Sequence, residues 1–404
     1  MNIINGNITS PKGFSASGIH AGIKKAKKDM AVILSEKLCS AAGCFTTNKV
    51  KAAPVIYDMK TVKNPVKAVV VNSGNANACT GDRGLKDAED SAAFLGELSG
   101  VKAENILTAS TGVIGVNLPM DTIKEGIKAC FSALSDTYEG GEDAAEAIMT
   151  TDTVPKKACA EITIGGKTVT IGGIAKGCGM INPNMATMLC FITTDAVISS
   201  KTLQTALSAA VKDTFNMISV DGDMSTNDTV IALANGMSES DEIKEGTAEY
   251  DEFLNALFYI ARDLAIKCAK DGEGATKLIE AHVYNAKTKD DARLMARSIV
   301  SSNLFKAAIF GSDANWGRAL CAMGYSGADF EPLKVSLTFK SDNGSILVMD
   351  EGKPVIFDED IAKTVLSAEK INVEVDTAEG SEEAFAWGCD LTYDYVKING
   401  DYRS

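Results

Sequence analysis

Alternating apolar and polar positions predict several short strands joined by tight turns. A wholly apolar run, residues 68–71, has the pattern of a buried strand. Two further pairs of apolar segments flank turn residues, Gly165-Gly166 in the first pair and Asp342-Asn343-Gly344 in the second. Because such residues favour the turns of β-hairpins, the pattern predicts hairpins of 162–164 with 169–171 and of 335–339 with 346–349.

Apolar residues at helical spacing predict two amphipathic helices with one core-facing side each. These sides consist of Leu203, Ala206, Leu207, Ala210 and Val211 in one helix, and of Leu254, Leu257, Ala261, Leu264, Ala265 and Cys268 in the other. The acidic stretches 137–147 and 238–249 contain few large apolar residues, so we expect both to be solvated surface. Hairpins mixed with long helices indicate an α+β fold.

Composition narrows the class of protein. The chain has 404 residues, of which 45% are hydrophobic, 6% aromatic and 23% charged, as in an ordinary soluble protein. This length suggests two or three structural units, or one large sandwich with an appendage. The net charge of −14 is opposite to what binding to nucleic acid requires. No uncharged apolar run reaches the ~20 residues that span a bilayer, and the first residues lack the pattern of a signal peptide. We therefore expect a cytoplasmic protein without a membrane or nucleic-acid partner.

Cysteine and histidine usage limits the chemistry. The ten cysteines are scattered without a CxxC pair, which favours reduced and mostly buried thiols. His20 and His282 are the only histidines, too few for a structural zinc site or a histidine-based triad. We expect no metal and no resident cofactor, and acid-base chemistry must use other groups.

The most unusual segment is 172–195, with the sequence GGIAKGCGMINPNMATMLCFITTD. Its glycines and the Asn182-Pro183-Asn184 turn predict a tight loop that delivers Thr187 to the start of an apolar strand. An arbitrary threonine there is usually only a β-branched strand residue. Alternatively, a strained Ala186-Thr187 peptide lets the Thr187 hydroxyl cut the chain. The freed α-amine, with an ordinary pKa of about 7.7 to 8.0, would then serve as its base.

Residues 176–189 (KGCGMINPNMATML) resemble the self-cleavage motif of the ornithine acetyltransferase family of arginine biosynthesis. The resemblance extends over nearly the whole chain. Its other motifs lie at 18–24, 71–78, 110–115, 149–153, 271–277, 313–318 and 395–399.

The resemblance implies an activity, a maturation step and a fold. Members of the family transfer an acetyl group from N2-acetylornithine to L-glutamate by a ping-pong mechanism, and some also use acetyl-CoA. Cleavage between Ala186 and Thr187 would give chains 1–186 and 187–404, which stay together as an α2β2 assembly. The implied fold is a layered α/β/β/α sandwich similar to the N-terminal nucleophile hydrolases, with a smaller C-terminal α/β part.

The same resemblance implies roles for individual residues. Thr187 would be the nucleophile, and Thr111 with Gly112 would stabilise the oxyanion. The substrate contacts it implies are Thr150, Lys176, Thr187, Glu273, Asn399 and Ser404, where the neighbouring Thr151 is an alternative to Thr150. Taken alone, Ser110-Thr111-Gly112 is more simply a turn, and Lys176 and Glu273 are more simply solvated loop charges. Ser404 stands where the family often has threonine.

Two other functions remain open at this stage. One is a related self-cleaving amidase or aminopeptidase, in which water accepts the acyl group. The other is a binding protein with an intact Ala186-Thr187 bond. A thiol nucleophile at Cys178 or Cys190 is a weaker hypothesis, because no histidine is near to lower its pKa.

Three further patterns carry less information. The glycine-rich segment 271–277 lacks the spacing of a phosphate-binding P-loop, and 221–228 lacks the glycine and glutamate of an EF-hand. We expect 221–228 to be a turn or a polar wall of a pocket. Lys24, Lys25, Lys27 and Lys28 form a basic cluster, most simply a solvated face, which at most attracts an anionic substrate.

Overall fold

The computed structural model describes residues 1–182 and 188–400, and these form two compact units. The described residues of unit 1 are 1–177, 188–215 and 224–264. Those of unit 2 are 178–182, 216–223 and 265–400. The chain passes from unit 1 to unit 2 directly after Gly177, at the start of the segment that carries the predicted cleavage motif. Within the described residues, no helix is long and apolar enough to cross a membrane.

The strands of the described chain are β1 Asn2–Ile3, β2 Phe14–Ile19, β3 Met30–Phe45, β4 Val66–Asn75, β5 Ile106–Val113, β6 Lys156–Ile164, β7 Lys167–Lys176, β8 Leu189–Thr194, β9 Ile218–Ser219, β10 Thr229–Ala234, β11 Leu278–Ala286, β12 Ser336–Ser341, β13 Gly344–Asp350, β14 Lys353–Pro354, β15 Lys370–Asp376 and β16 Glu382–Cys389. The α-helices are α1 Ala53–Thr61, α2 Gly81–Ser99, α3 Met120–Ser132, α4 Tyr138–Ala147, α5 Ser200–Lys212, α6 Ala248–Lys270, α7 Lys289–Ser301, α8 Asn303–Phe310, α9 Trp316–Gly324, α10 Glu359–Leu366 and α11 Tyr393–Asn399.

Two sheets of unit 1 share the long strand β3. Its first half pairs with β2 and β4, and its second half pairs with β10 after a register shift between Leu34 and Cys39. Beyond β4 lies the parallel strand β5, and beyond β10 lie β8, β7, β6 and β1. The bend in β3 lets one continuous ladder fold over itself into two facing sheets.

Side-chain alternation along these strands produces the layers. On one face, Ile33 and Val71 pack with Phe191 and Leu233 of the opposite sheet in a common core. On the other face, alternate residues such as Val32 and Val70 pack against α2 and α3. The second sheet is covered by α5, which packs on β3, and by the part of α6 that lies against Gly173 of β7. Unit 1 is therefore the α/β/β/α sandwich that was predicted.

The acidic stretch 137–147 corrects one prediction. It was expected to be solvated surface, but it forms helix α4, and Ala144, Ala145 and Ala147 are buried in the core between the sheets. Its acidic residues lie on the remaining face, where Asp143 and Glu146 pair with Lys28. The other acidic stretch, 238–249, is mostly exposed, as predicted.

Unit 2 is the smaller α/β part. Its sheet has the order β14-β13-β12-β15-β11-β16-β9 over the described residues. Ile279, Ala281 and Val283 on one face of β11 are buried, and helix α7 packs against β11 and β16. Both predicted hairpins are confirmed as β6–β7 and β12–β13, and the two predicted helices are α5 and α6.

Candidate active site

Thr111 and Gly112 lie near the end of strand β5, beside the end of the parallel strand β4. The simpler expectation that 110–112 is a turn is therefore wrong. Thr111 is level with Ser73 of β4, and Gly112 is level with Gly74. Gly112 has a φ of +133°, and a Cβ there would clash with the backbone of Gly74 and Asn75. Because both the conformation and the close approach exclude a side chain, glycine is required at this position.

Buried amide side chains hold this end of β5 in place. Asn227, which is 5% exposed, donates from Nδ2 to the carbonyl oxygens of Ala76 at 2.6 Å and Ser110 at 2.7 Å. The Ser110 hydroxyl donates to Oδ1 of Asn72 at 2.6 Å. These bonds tie the ends of β4 and β5 to each other and to the segment before β10, so the end of β5 is held rigidly.

Lys176, at the end of β7, contacts this end of β5. Its Nζ donates to Oγ1 of Thr111 at 3.2 Å, and the residue is only 7% exposed. The interpretation of Lys176 as a solvated loop charge is therefore wrong. A nearly buried ammonium group at this place forms a positively polarised site, which suits a carboxylate or a developing oxyanion.

Asp152 lies next to these groups and is almost completely buried. Burial alone would raise the pKa of its carboxyl, but Lys176 and Lys156 outweigh that effect and hold the pKa well below its usual range. Its oxygens accept from the backbone N–H of Thr150 at 3.0 Å and of Gly177 at 2.7 Å, and from Nζ of Lys156 at 2.6 Å. The segments that carry Thr150 and Lys176 are thus joined by one carboxylate.

The basic cluster near residue 24 is only partly a solvated face. Lys25 and Lys27 are exposed, as expected. Lys24 is half-buried, and its Nζ donates to the carbonyl oxygens of Lys28 and Met149 at 2.7 Å each. Burial lowers the pKa of Lys24 to about 8, although Asp29 acts in the opposite direction. The cluster therefore anchors its loop next to the segment that precedes Thr150.

Unit 2 brings two other predicted contacts together. Nδ2 of Asn399 donates to Oε2 of Glu273 at 2.6 Å, and Glu273 is 8% exposed. A Cβ at Gly179 would lie 2.5 Å from Cδ of Glu273, so the glycine of the motif makes room for this carboxylate. The backbone N–H of Glu273 donates to the carbonyl of Cys178. Glu273 is therefore also not a solvated charge.

The acidic segment 221–228 has a structural role at its first residue. The Asp221 carboxylate accepts from the backbone N–H groups of Met180 and Ile181 at 2.5 and 2.9 Å. Burial, with added repulsion from Asp221 and Glu273, raises the pKa of Tyr395. Asp221 thus fixes the segment 180–181 within unit 2, in keeping with the expected turn.

Burial disfavours a thiol nucleophile. Cys178 and Cys190, the alternative nucleophiles, are 1% and 0% exposed. Burial raises the pKa of Cys39 and Cys130 to about 12. Within 1–182 and 188–400, no group of three or more His, Cys, Asp or Glu side chains is arranged to hold a metal ion.

Comparison with known proteins decides the family. The model of the ArgJ family matches residues 15–404. The chain belongs to the ArgJ family. The arginine biosynthesis bifunctional protein ArgJ of Caldanaerobacter subterraneus subsp. tengcongensis is 55% identical to it over 405 residues, with 100% of both chains covered. The protein of the same name from Symbiobacterium thermophilum is 54% identical, over 99% of each chain.

A solved structure agrees with this assignment. The crystal structure of arginine biosynthesis bifunctional protein ArgJ from Bacillus halodurans is 44% identical and has a TM-score of 0.51. The match covers 53% of this chain and 99% of that one. The resemblance to the ornithine acetyltransferase family is thereby confirmed, and the chain is an ArgJ-family enzyme of arginine biosynthesis.

The predicted site residues fall into three sets. In unit 1, Thr111, Gly112, Thr150 and Lys176 are brought together through the contacts above. In unit 2, Glu273 and Asn399 are in direct contact. Ala186, Thr187 and Ser404 lie outside the described residues. Thr150 and Thr151 are both half-buried, so burial does not distinguish between them as the substrate contact.

Sequence reasoning missed Asp152 and Asn227. Asp152 stood within a quoted motif, 149–153, but its spacing from Lys176 carries no sign that the two meet. Asn227 stood in segment 221–228, which was expected to be a turn or a polar wall of a pocket without a role for this residue. No local pattern could reveal either contact, because each joins residues 25 or more positions apart.

Proposed function

We propose that the chain is a self-cleaving acetyltransferase that moves an acetyl group from N2-acetylornithine to L-glutamate, with acetyl-CoA as a possible second donor. Cleavage between Ala186 and Thr187 exposes Thr187 as the nucleophile. The mature enzyme is an α2β2 assembly of chains 1–186 and 187–404 in the cytoplasm. Family membership supports the proposal, and the hydrogen bond from Nζ of Lys176 to Oγ1 of Thr111 is the observation that carries it.

The proposed reaction has two halves. In the first, the α-amine of Thr187 takes the hydroxyl proton while the oxygen attacks the acetyl carbonyl, and ornithine leaves with its amine protonated. In the second, the glutamate amine attacks the acetyl ester, and the Thr187 hydroxyl is restored. No histidine is required.

The end of β5 supplies the electrostatic part of the mechanism. A tetrahedral intermediate places negative charge on the former carbonyl oxygen, and we assign its stabilisation to Thr111 and Gly112. A donor of this kind contributes about 2.7 to 4 kcal/mol to the transition state in acyl transfer. Lys176 pairs with the α-carboxylate that both amino-acid substrates share.

The direct test compares acceptors in purified wild-type protein and in Thr187→Ala. With N2-acetylornithine as donor, wild type should form N-acetylglutamate at a rate that depends on glutamate, with little free acetate. Thr187→Ala should remain a single chain without turnover, while Thr205→Ala, at an exposed position of α5, should behave as wild type. Release of acetate without glutamate dependence would instead indicate a hydrolase. Two chains from Thr187→Ala would refute the assigned cleavage site.

A further inference from the structure

The carboxylate of Asp152 joins the two unit 1 segments that carry the proposed substrate contacts. It is 1% exposed, and its hydrogen bonds are to the backbone of Thr150, the backbone of Gly177 and Nζ of Lys156. Thr150 follows helix α4, whereas Gly177 directly follows Lys176 at the end of β7. The two segments lie at the open end of the β6–β7 hairpin, whose strands pair as far as Lys156 and Ala175, and Asp152 links them beyond the last pair.

The number of donors explains why a carboxylate stands here. Three N–H donors converge on the two oxygens of Asp152, and two of these are backbone groups that cannot rotate away. An ionised carboxylate accepts at both oxygens, whereas an asparagine of the same shape presents one accepting oxygen and one NH2 group that only donates. The amide would therefore turn a donor toward either Thr150 or Gly177, and one of the two tethers would be lost.

Charge also favours a carboxylate in this position. Lys156 is 1% exposed and Lys176 is 7% exposed, so two nearly buried ammonium groups lie near one anion. Lys24 faces the same site, and Asp29 lies beside Lys24. Asp152 neutralises part of this positive charge without occupying the site itself, since both of its oxygens are engaged by protein donors.

We propose that Asp152 is a positioning residue of the acetyl-transfer site, which holds Thr150 and the Lys176–Gly177 segment in the geometry that binds the amino-acid substrate. The inference rests on the proposed function. Asp152 acts through contacts to the substrate α-carboxylate, a group whose charge does not change in the reaction. Its loss should therefore weaken substrate binding more than it slows the acyl-transfer step.

The test uses formation of the acetyl-enzyme from N2-acetylornithine without acceptor, followed by intact mass and normalised to the cleaved fraction. The half-saturating donor concentration and the limiting rate are measured separately. For Asp152→Asn we expect the half-saturating concentration to rise about tenfold or more, while the limiting rate stays within about threefold of wild type.

Asp195→Asn is the matched control. Asp195 is also 1% exposed in unit 1, and its carboxylate likewise accepts from two backbone N–H groups, those of Lys12 and Thr170. It contacts none of the proposed site residues through these bonds. Both constants should stay near the wild-type values in this variant.

The outcomes separate the inference from the function on which it rests. A wild-type half-saturating concentration in Asp152→Asn, or a loss confined to the limiting rate, would overturn the positioning role. If Asp152→Asn does not fold, Asp152→Glu decides by the same criterion, because it keeps the charge and displaces both oxygens by one methylene. Wild-type protein that forms no acetyl-enzyme would overturn the proposed function and the inference with it.

Discussion

Gly112 shows how a single residue can set the geometry of the candidate site. An alanine there would combine an unfavourable φ with a clash against the backbone of Gly74 and Asn75. The end of β5 would have to move, and the N–H groups proposed to meet the oxyanion would move with it. For Gly112→Ala we predict a fall in turnover of about 10² to 10³, the usual effect of losing one such donor.

Gly115→Ala separates this effect from general backbone strain. Gly115 also has a positive φ, +84°, but a Cβ there meets no atom within 4 Å. We expect a small loss of stability of about 1 kcal/mol and nearly normal turnover. Steady-state kinetics of both variants provide the comparison, and normal kinetics in Gly112→Ala would rule out the oxyanion role.

Asp58 in α1 makes stability depend on pH. Burial raises the pKa of its carboxyl well above the ordinary value, although hydrogen bonds from Thr108 oppose the shift. The native state therefore binds this proton more tightly than the unfolded chain, and stability falls as pH rises from the unfolded pKa of about 3.9 toward the folded value. Asp58→Asn keeps the acceptor for Thr108 and removes the ionisation.

The prediction for Asp58→Asn is therefore a gain in stability that depends on pH. The free energy of unfolding of the variant, relative to wild type, should increase as pH rises from about 4 to about 7. Denaturant titrations at several pH values measure it. A difference between variant and wild type that does not change with pH would contradict the assigned shift.

At this scale the sequence predicted residue types better than their surroundings. Thr111, Gly112, Lys176, Glu273 and Asn399 were all named from the resemblance, and each is held in a specific contact. Reasoning from residue type alone favoured a solvated charge for Lys176 and Glu273, because such charges are usually exposed. Their burial depends on partners distant in the sequence, such as Thr111 for Lys176 and Asn399 for Glu273.

Helix α4 shows the same limit at the scale of an element. Its sequence, YEGGEDAAEA, contains no large aliphatic residue, and this absence led to the wrong prediction of solvated surface. Small residues are buried here because the helix lies very close to its neighbours. Gly141 lies against Asn7, and Gly18 of β2 lies against the backbone of Asp143. Hydrophobic periodicity does not detect a face made of glycine and alanine.

Close packing of α4 gives a prediction of opposite sign for two helical glycines. Alanine usually stabilises a helix relative to glycine by about 0.5 to 1 kcal/mol. At Gly141 its Cβ would clash with the Asn7 side chain, which hydrogen bonds to Tyr138 and Thr9 hold in place. Gly141→Ala should therefore lose about 1 to 3 kcal/mol.

Gly324→Ala, at the exposed end of α9, is the matched control. A Cβ there meets nothing within 4 Å, so the variant should be as stable as wild type or slightly more stable. Thermal unfolding of both variants tests the pair. Equal changes in the two variants would show that the α4 contact does not limit the size of residue 141.

For the whole molecule, the α+β class and the sandwich were predictable, and the path of the chain was not. Local alternation identified the β6–β7 and β12–β13 hairpins, and helical spacing identified α5 and α6. The bend in β3 and the pairing of β10 with both β3 and β8 depend on contacts between distant segments. The two compact units follow a different division from the proposed cleavage products, since unit 2 takes residues from both sides of Thr187.

The central claim is that cleavage before Thr187 creates an acetyl-accepting nucleophile, and intact mass of the denatured wild-type protein tests it most directly. We predict two fragments, residues 1–186 and 187–404. After brief exposure to N2-acetylornithine without acceptor, only the second fragment should gain one acetyl group, and glutamate should remove it. A single full-length chain that stays unmodified, or an acetyl group on the first fragment, would contradict the account.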